Sequence, residues 1–184
     1  MSLQNPEHPE SPPNIGKNMA VAIYASHVEA DSAVKELAKS GFDMKKLSIV
    51  AKDYHTEEHV TGYYTTGDRM MAWGKLGAFW GGLWGLLFGS ALFLIPGIGP
   101  VFMAGPLVGV IVNALQGAVA VGGLSALGAG LVSLGIPRHS ALAYETEIAA
   151  GKFVLIVHGT QDEITQARSL LERTDHQGLT EHPA

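Results

Sequence analysis

The sequence predicts an α+β membrane protein: a split ferredoxin-like βαβ soluble domain with an inserted two-helix, glycine-rich transmembrane hairpin. Three observations carry that prediction. From Leu76 to Ile136 there is not one Asp, Glu, Lys, Arg or His, whereas a surface helix of a soluble domain needs a polar face. The two flanks of this run each read as a strand followed by a capped helix of similar length. Within the run, glycines recur at intervals of four.

The order of elements follows from local chemistry. Met1 to Lys17 contains Pro6, Pro9, Pro12 and Pro13 among acidic residues, with no apolar core. It reads as a disordered leader, residues 1–18, and not as a signal peptide. The first half of the soluble domain spans 19–68. Met19 to Ala25 is short, apolar and bounded, the pattern of a buried strand. Ser26 with Glu29 forms a capping box, which satisfies orphan donors of a helix start. Ala30, Ala33, Val34, Leu37 and Ala38 then recur at helical spacing, and Gly41 stands where a left-handed cap is expected. Leu47 to Lys52 is a second strand. His55 and His59 flank Glu57 and Glu58; on a helix the two imidazoles share a face that suits a metal, but no third ligand is near in sequence. Tyr63, Tyr64, Asp68 and Arg69 precede the apolar run.

Residues 69–136 form the predicted hairpin. Leu76 to Ile95 is long enough, at roughly 30 Å as a helix, for one crossing. Pro96, Gly97, Gly99 and Pro100 make the turn. Val101 to about Val121 is the expected second crossing, because a third would separate the two soluble halves. Arg69, Trp73, Lys75 and Arg138 are the expected membrane-interface residues, and the positive-inside rule places both termini in the cytoplasm. Gly77, Gly81, Gly85 and Gly89 form one small-residue ridge. Gly105, Gly109, Asn113 and Gly117 form a second, and Ala118, Gly122, Ala126 and Gly130 a third. Such ridges let helix backbones approach closely in lipid. Asn113 and Gln116 read as interhelical hydrogen bonders.

The second soluble half spans 137–176. Ser140 to Ala150 reads as a short helix preceded by Pro137 and closed by Gly151, with Tyr144 and Glu145 docking it. Phe153 to Val157 is a strand, His158 ends it in a structural role, and Thr160 with Glu163 is another capping box. Ile164, Ala167 and Leu171 give the following helix its apolar stripe. A tail, 177–184, holds a short strand around Gln177 to Thr180. Neither half has enough strands to stand alone, so they are expected to pair with each other.

Composition limits function. A net charge of −5 offers no basic patch, which speaks against nucleic acid as a partner. The absence of cysteine excludes disulfides, thiolate catalysis and Cys-ligated zinc. No phosphate-cradling loop, nucleophile elbow or dinucleotide fingerprint is present, so neither an enzyme nor a cofactor is expected.

The run TGYYTTGDRMMAWGKLGAFWGGLWGLLFG, the turn IPGIGPVFMAGP, the segment GIPRHSALAYETEI and the strand FVLIVHGT resemble a bacterial general-stress-protein-like family of uncharacterised membrane proteins. The likeness runs from about Met19 to Arg173. It implies a stress-associated protein of the bacterial inner membrane and supplies no catalytic residues. The expected function is that of a membrane-embedded, self-associating structural or interaction protein, with the lipid bilayer and copies of itself as partners. A small oligomeric channel or transporter, and a membrane-coupled ligand or metal sensor, are the alternatives.

Overall fold

A computed structural model describes residues 18–52, 90–95, 98–116 and 125–183. Their elements are β1 (Asn18–Tyr24), α1 (His27–Lys39), a 3-10 turn (Met44–Lys46), β2 (Leu47–Lys52), β3 (Ser90–Ile95) and β4 (Gly99–Ala104). There follow α2 (Leu107–Gln116), α3 (Ala126–Ser133), α4 (Arg138–Ala149), β5 (Phe153–Gly159), α5 (Gln161–Leu171) and β6 (Gly178–His182).

The strands form one six-stranded sheet in the order β3-β4-β2-β5-β1-β6, with every neighbouring pair antiparallel. β5 lies between β1 and β2, and β1 lies between β5 and β6. The residues before and after the charge-free run are therefore interleaved in one sheet. α1 and α5 start at complete capping boxes, Ser26 with Glu29 and Thr160 with Glu163. Side chains alternate between the two sheet faces. One face buries Ala20, Ala22, Tyr24, Leu47, Ile49, Leu155 and Val157 under α1 and α5. The other buries Val21, Val50, Met103, Val154 and Ile156 under α2, α3 and α4.

The structure overturns the membrane hairpin. Ser90–Ile95, expected at the end of a first crossing, is strand β3. Val101–Ala104, expected at the start of a second, belongs to strand β4. The two pair from Ser90 opposite Ala104 to Ile95 opposite Gly99. α2 has ten residues and α3 eight, or about 15 and 12 Å, against a hydrocarbon core of about 30 Å. No helix among the described residues is long and apolar enough to cross a membrane. The multi-pass inner-membrane localisation and the transmembrane-helix and glycine-zipper assignments are corrected on that ground. The physical reason is that a short apolar run has no helical or strand preference of its own. A strand covered by helices must be as free of charge as one immersed in lipid.

The glycines were expected to form regular ridges, and the described ones do separate things. Gly105 lies outside any helix, with φ +95°; a Cβ there would sit 2.1 Å from the Leu47 carbonyl oxygen. Gly109 opens onto free space, and Asn113 on the same helix is exposed. Gly130 of α3 admits the Ile111 side chain of α2, whose Cδ1 lies 2.0 Å from where a Cβ would be. Ala126 is the first residue of α3, and Arg138 the first of α4. Gly99 (φ +99°) and Pro100 open β4. The leader, His55, His59, Tyr63, Tyr64, Asp68, Arg69, Trp73, Lys75, Gly77, Gly81, Gly85, Gly89, Pro96, Gly97, Gly117, Ala118 and Gly122 lie outside the described residues.

Candidate functional site

The described polar side chains that lie deepest gather at one end of the sheet, on the face under α2, α3 and α4. Alternation sets them there. Ser48 shares its side of β2 with Val50, and His158 shares its side of β5 with Val154 and Ile156. Met19 pairs with His158 on one flank and His182 on the other, so the two imidazoles stand in one row across three strands. Ser48 faces Ile156, two residues before His158, which makes it a diagonal neighbour of that histidine.

Ser48 is fully buried and His158 is 1% exposed. The Ser48 hydroxyl and His158 Nε2 are 3.3 Å apart. The same hydroxyl accepts the Leu107 backbone N–H at 3.2 Å. Gly105 makes this reach feasible: with no side chain and a left-handed backbone, it lets the chain press against Leu47 as it turns from β4 into α2. Ser48 therefore caps α2 from a different strand, satisfying one of the helix's orphan donors. Burial pushes His158 down to about 4, so the imidazole is neutral at physiological pH.

A second buried pair lies along the same row. Tyr144 of α4 and His182 Nε2 of β6 are 2.7 Å apart, with their rings edge to face at 5.9 Å. Burial raises Tyr144 and lowers His182, the latter with a smaller push from His139. Both directions favour the uncharged forms. The next residue, Glu145, accepts from the Ser125 hydroxyl and, at 2.7 Å, from the Gly128 N–H. A carboxylate there also complements the positive end of α3. Tyr144 thus docks α4 to the sheet, and Glu145 docks it to α3.

A serine beside a histidine is the start of a nucleophile and base. That chemistry also needs a group to orient the base and room for a substrate. Among the described residues no carboxylate hydrogen-bonds His158, and the serine oxygen already holds the Leu107 N–H. The arrangement joins β2, β5 and α2 through polar contacts. No group of three His, Cys, Asp or Glu among the described residues could hold a metal.

Sequence reasoning passed over Ser48, Ser125 and His182. Ser48 carried a usable signal: a hydroxyl inside the apolar strand LSIVA must find a partner once buried. His182 carried none, because the sequence places the last strand only near 177–180.

Residues 19–92 match the model of the heat-induced stress protein YflT domain. Over that stretch the chain is similar to general stress proteins. The matched residues include β1 from Met19 on, α1, β2 and the first half of β3, and therefore Ser48 but not His158. No curated protein and no solved structure matches the chain.

Proposed function

We propose that this is a stress-associated, non-catalytic interaction protein that works as an assembly of its own copies. Its match to a heat-induced stress domain supports the stress association. The absence of catalysis is supported by one observation above all. The Ser48 hydroxyl is completely buried and engaged with both His158 and the Leu107 N–H, so it presents no reacting atom to a substrate. The Tyr144–His182 pair is likewise used up in docking α4 on β6. These four side chains hold elements together instead.

Self-association is supported by the uneven surface. Among the described residues Leu94, on edge strand β3, is 81% exposed. A large apolar side chain left in water at the edge of a sheet favours contact with another apolar surface. Sedimentation equilibrium of the full chain over a hundredfold range of concentration tests the proposal. The expected result is a mass that rises from one subunit to a defined multiple. A single subunit at every concentration is the result that removes self-association from the proposal.

A further inference from the structure

The two edges of the sheet are built differently. At the β6 edge, Glu181 is bonded to Arg168 of α5 at 3.2 Å, and His182 is tied to Tyr144. Short edges that carry charge resist pairing with another strand. At the other edge, β3 reads Ser-Ala-Leu-Phe-Leu-Ile, with no charge and no proline. Its neighbour β4 has no ionisable residue either. Alternation buries Ile95 and packs Phe93 against the core under α2 and α3. It turns Leu94 to the opposite face, beside Pro100. There α1 and α5 lie over β1 and β5, and Phe102 still packs against their core. Leu94 belongs to neither core and stands 81% exposed. Among the described residues, β3 pairs only with β4.

We infer that β3 is a homotypic interface, at which two copies pair their β3 strands antiparallel about a two-fold axis and each covers the other's Leu94. The inference rests on the self-association proposed above and names its surface. Charge argues for a second copy as the occupant. Each chain carries a net charge of −5, so most approaches of two copies bring like charges together. The hairpin from Ser90 to Ala104 carries none, and pairing there meets no such repulsion. Symmetry argues the same way, because a two-fold contact uses one strip twice and closes at two subunits. Size sets the strength. A six-residue strand is about 20 Å long, and a two-stranded strip is about 10 Å wide. That is well short of the roughly 800 Å² per partner of a standard interface, so the dimer is reversible and concentration-dependent.

The test is sedimentation of the full chain as wild type, Leu94→Lys, Leu94→Glu and an equimolar mixture of the two variants, with circular dichroism to confirm folding. Each variant alone is expected to dimerise at least tenfold more weakly than wild type, and the mixture more tightly than either. Val28→Lys, on exposed α1 surface, is expected to dimerise as wild type. If folded Leu94→Lys and Leu94→Glu dimerise like wild type, the interface is wrong while self-association stands. If wild type never dimerises, both fail. Should the variants not fold, hydrogen exchange of the wild type decides. Protection of the β3 amides is expected to rise with protein concentration; equal protection at low and high concentration means the edge is covered within one chain and overturns the inference.

Discussion

At the scale of single residues, His158 makes the sharpest claim. Its imidazole is 1% exposed with the Ser48 hydroxyl 3.3 Å away, and burial lowers its pKa from 6.5 to about 4. A depressed histidine works against the fold in acid. Below pH 6.5 the unfolded chain takes up a proton that the native chain refuses until about pH 4. Stability is therefore whole above 6.5, falls as pH drops through that window, and levels off below it. A gap of this size corresponds to roughly 3 kcal/mol. His27 and His182 are also lowered and tilt stability in the same direction, so the wild-type slope alone does not isolate His158. Urea unfolding of wild type and His158→Gln at pH 7 and pH 4.5 does. The variant is expected to be less stable at pH 7 but to lose less on acidification. Equal losses in the two proteins would show that His158 is already protonated or exposed.

At the scale of elements, legibility followed the range of the interactions. α1 and α5 were readable because each is fixed by its own capping box, with both partners within three residues. β2 was readable because Leu47–Lys52 is short and bounded. β3 and β4 were not. Their apolar residues look the same in a strand under helices as in a helix in lipid, and only the pairing of Leu94 with Pro100 or Leu92 with Phe102 decides between them. The Ser48–His158 pair was hidden for the same reason, since its members are 110 positions apart. The glycines show what spacing cannot reveal. By spacing Gly105 and Gly130 are equal members of packing ridges, yet their surroundings differ. At Gly105 a methyl group would strike the Leu47 carbonyl, which is backbone, and the φ of +95° already disfavours any side chain. Gly105→Ala is expected to cost about 3 kcal/mol. At Gly130 the nearest obstacle is the Ile111 δ-methyl, which can swing aside. Alanine gains about 1 kcal/mol of helix propensity there against a comparable cost of overpacking. Gly130→Ala is therefore expected to stay within about 1 kcal/mol of wild type. Denaturant midpoints of the two variants check the contrast, and a milder effect at Gly105 than at Gly130 would refute it.

At the scale of the whole molecule, the sheet order separates what a family match covers from what folds. Residues 19–92 carry the stress-domain match. In the sheet, however, β1 and β2 do not touch; β5 lies between them and pairs with both. β1 also pairs with β6, and β2 also pairs with β4. A chain ending at residue 92 would lack β4, β5 and β6, leaving both of its complete strands without the neighbours they bond. Ala20, Ala22, Leu47 and Ile49 would also lose Leu155, Val157, Ile164, Ala167 and Leu171 from their shared core. The two strands and one helix that the described residues of this stretch supply bury too little apolar surface to offset the entropy of ordering them. Residues 19–92 alone are therefore expected to show no cooperative thermal or denaturant transition. Addition of a second chain, residues 93–184, is expected to restore one, because it supplies the central strand and α5. A cooperative transition from residues 19–92 by themselves would mean that β1 and β2 have an arrangement other than the one in this sheet. The interleaved order would then be a property of the full chain and not of the stress domain.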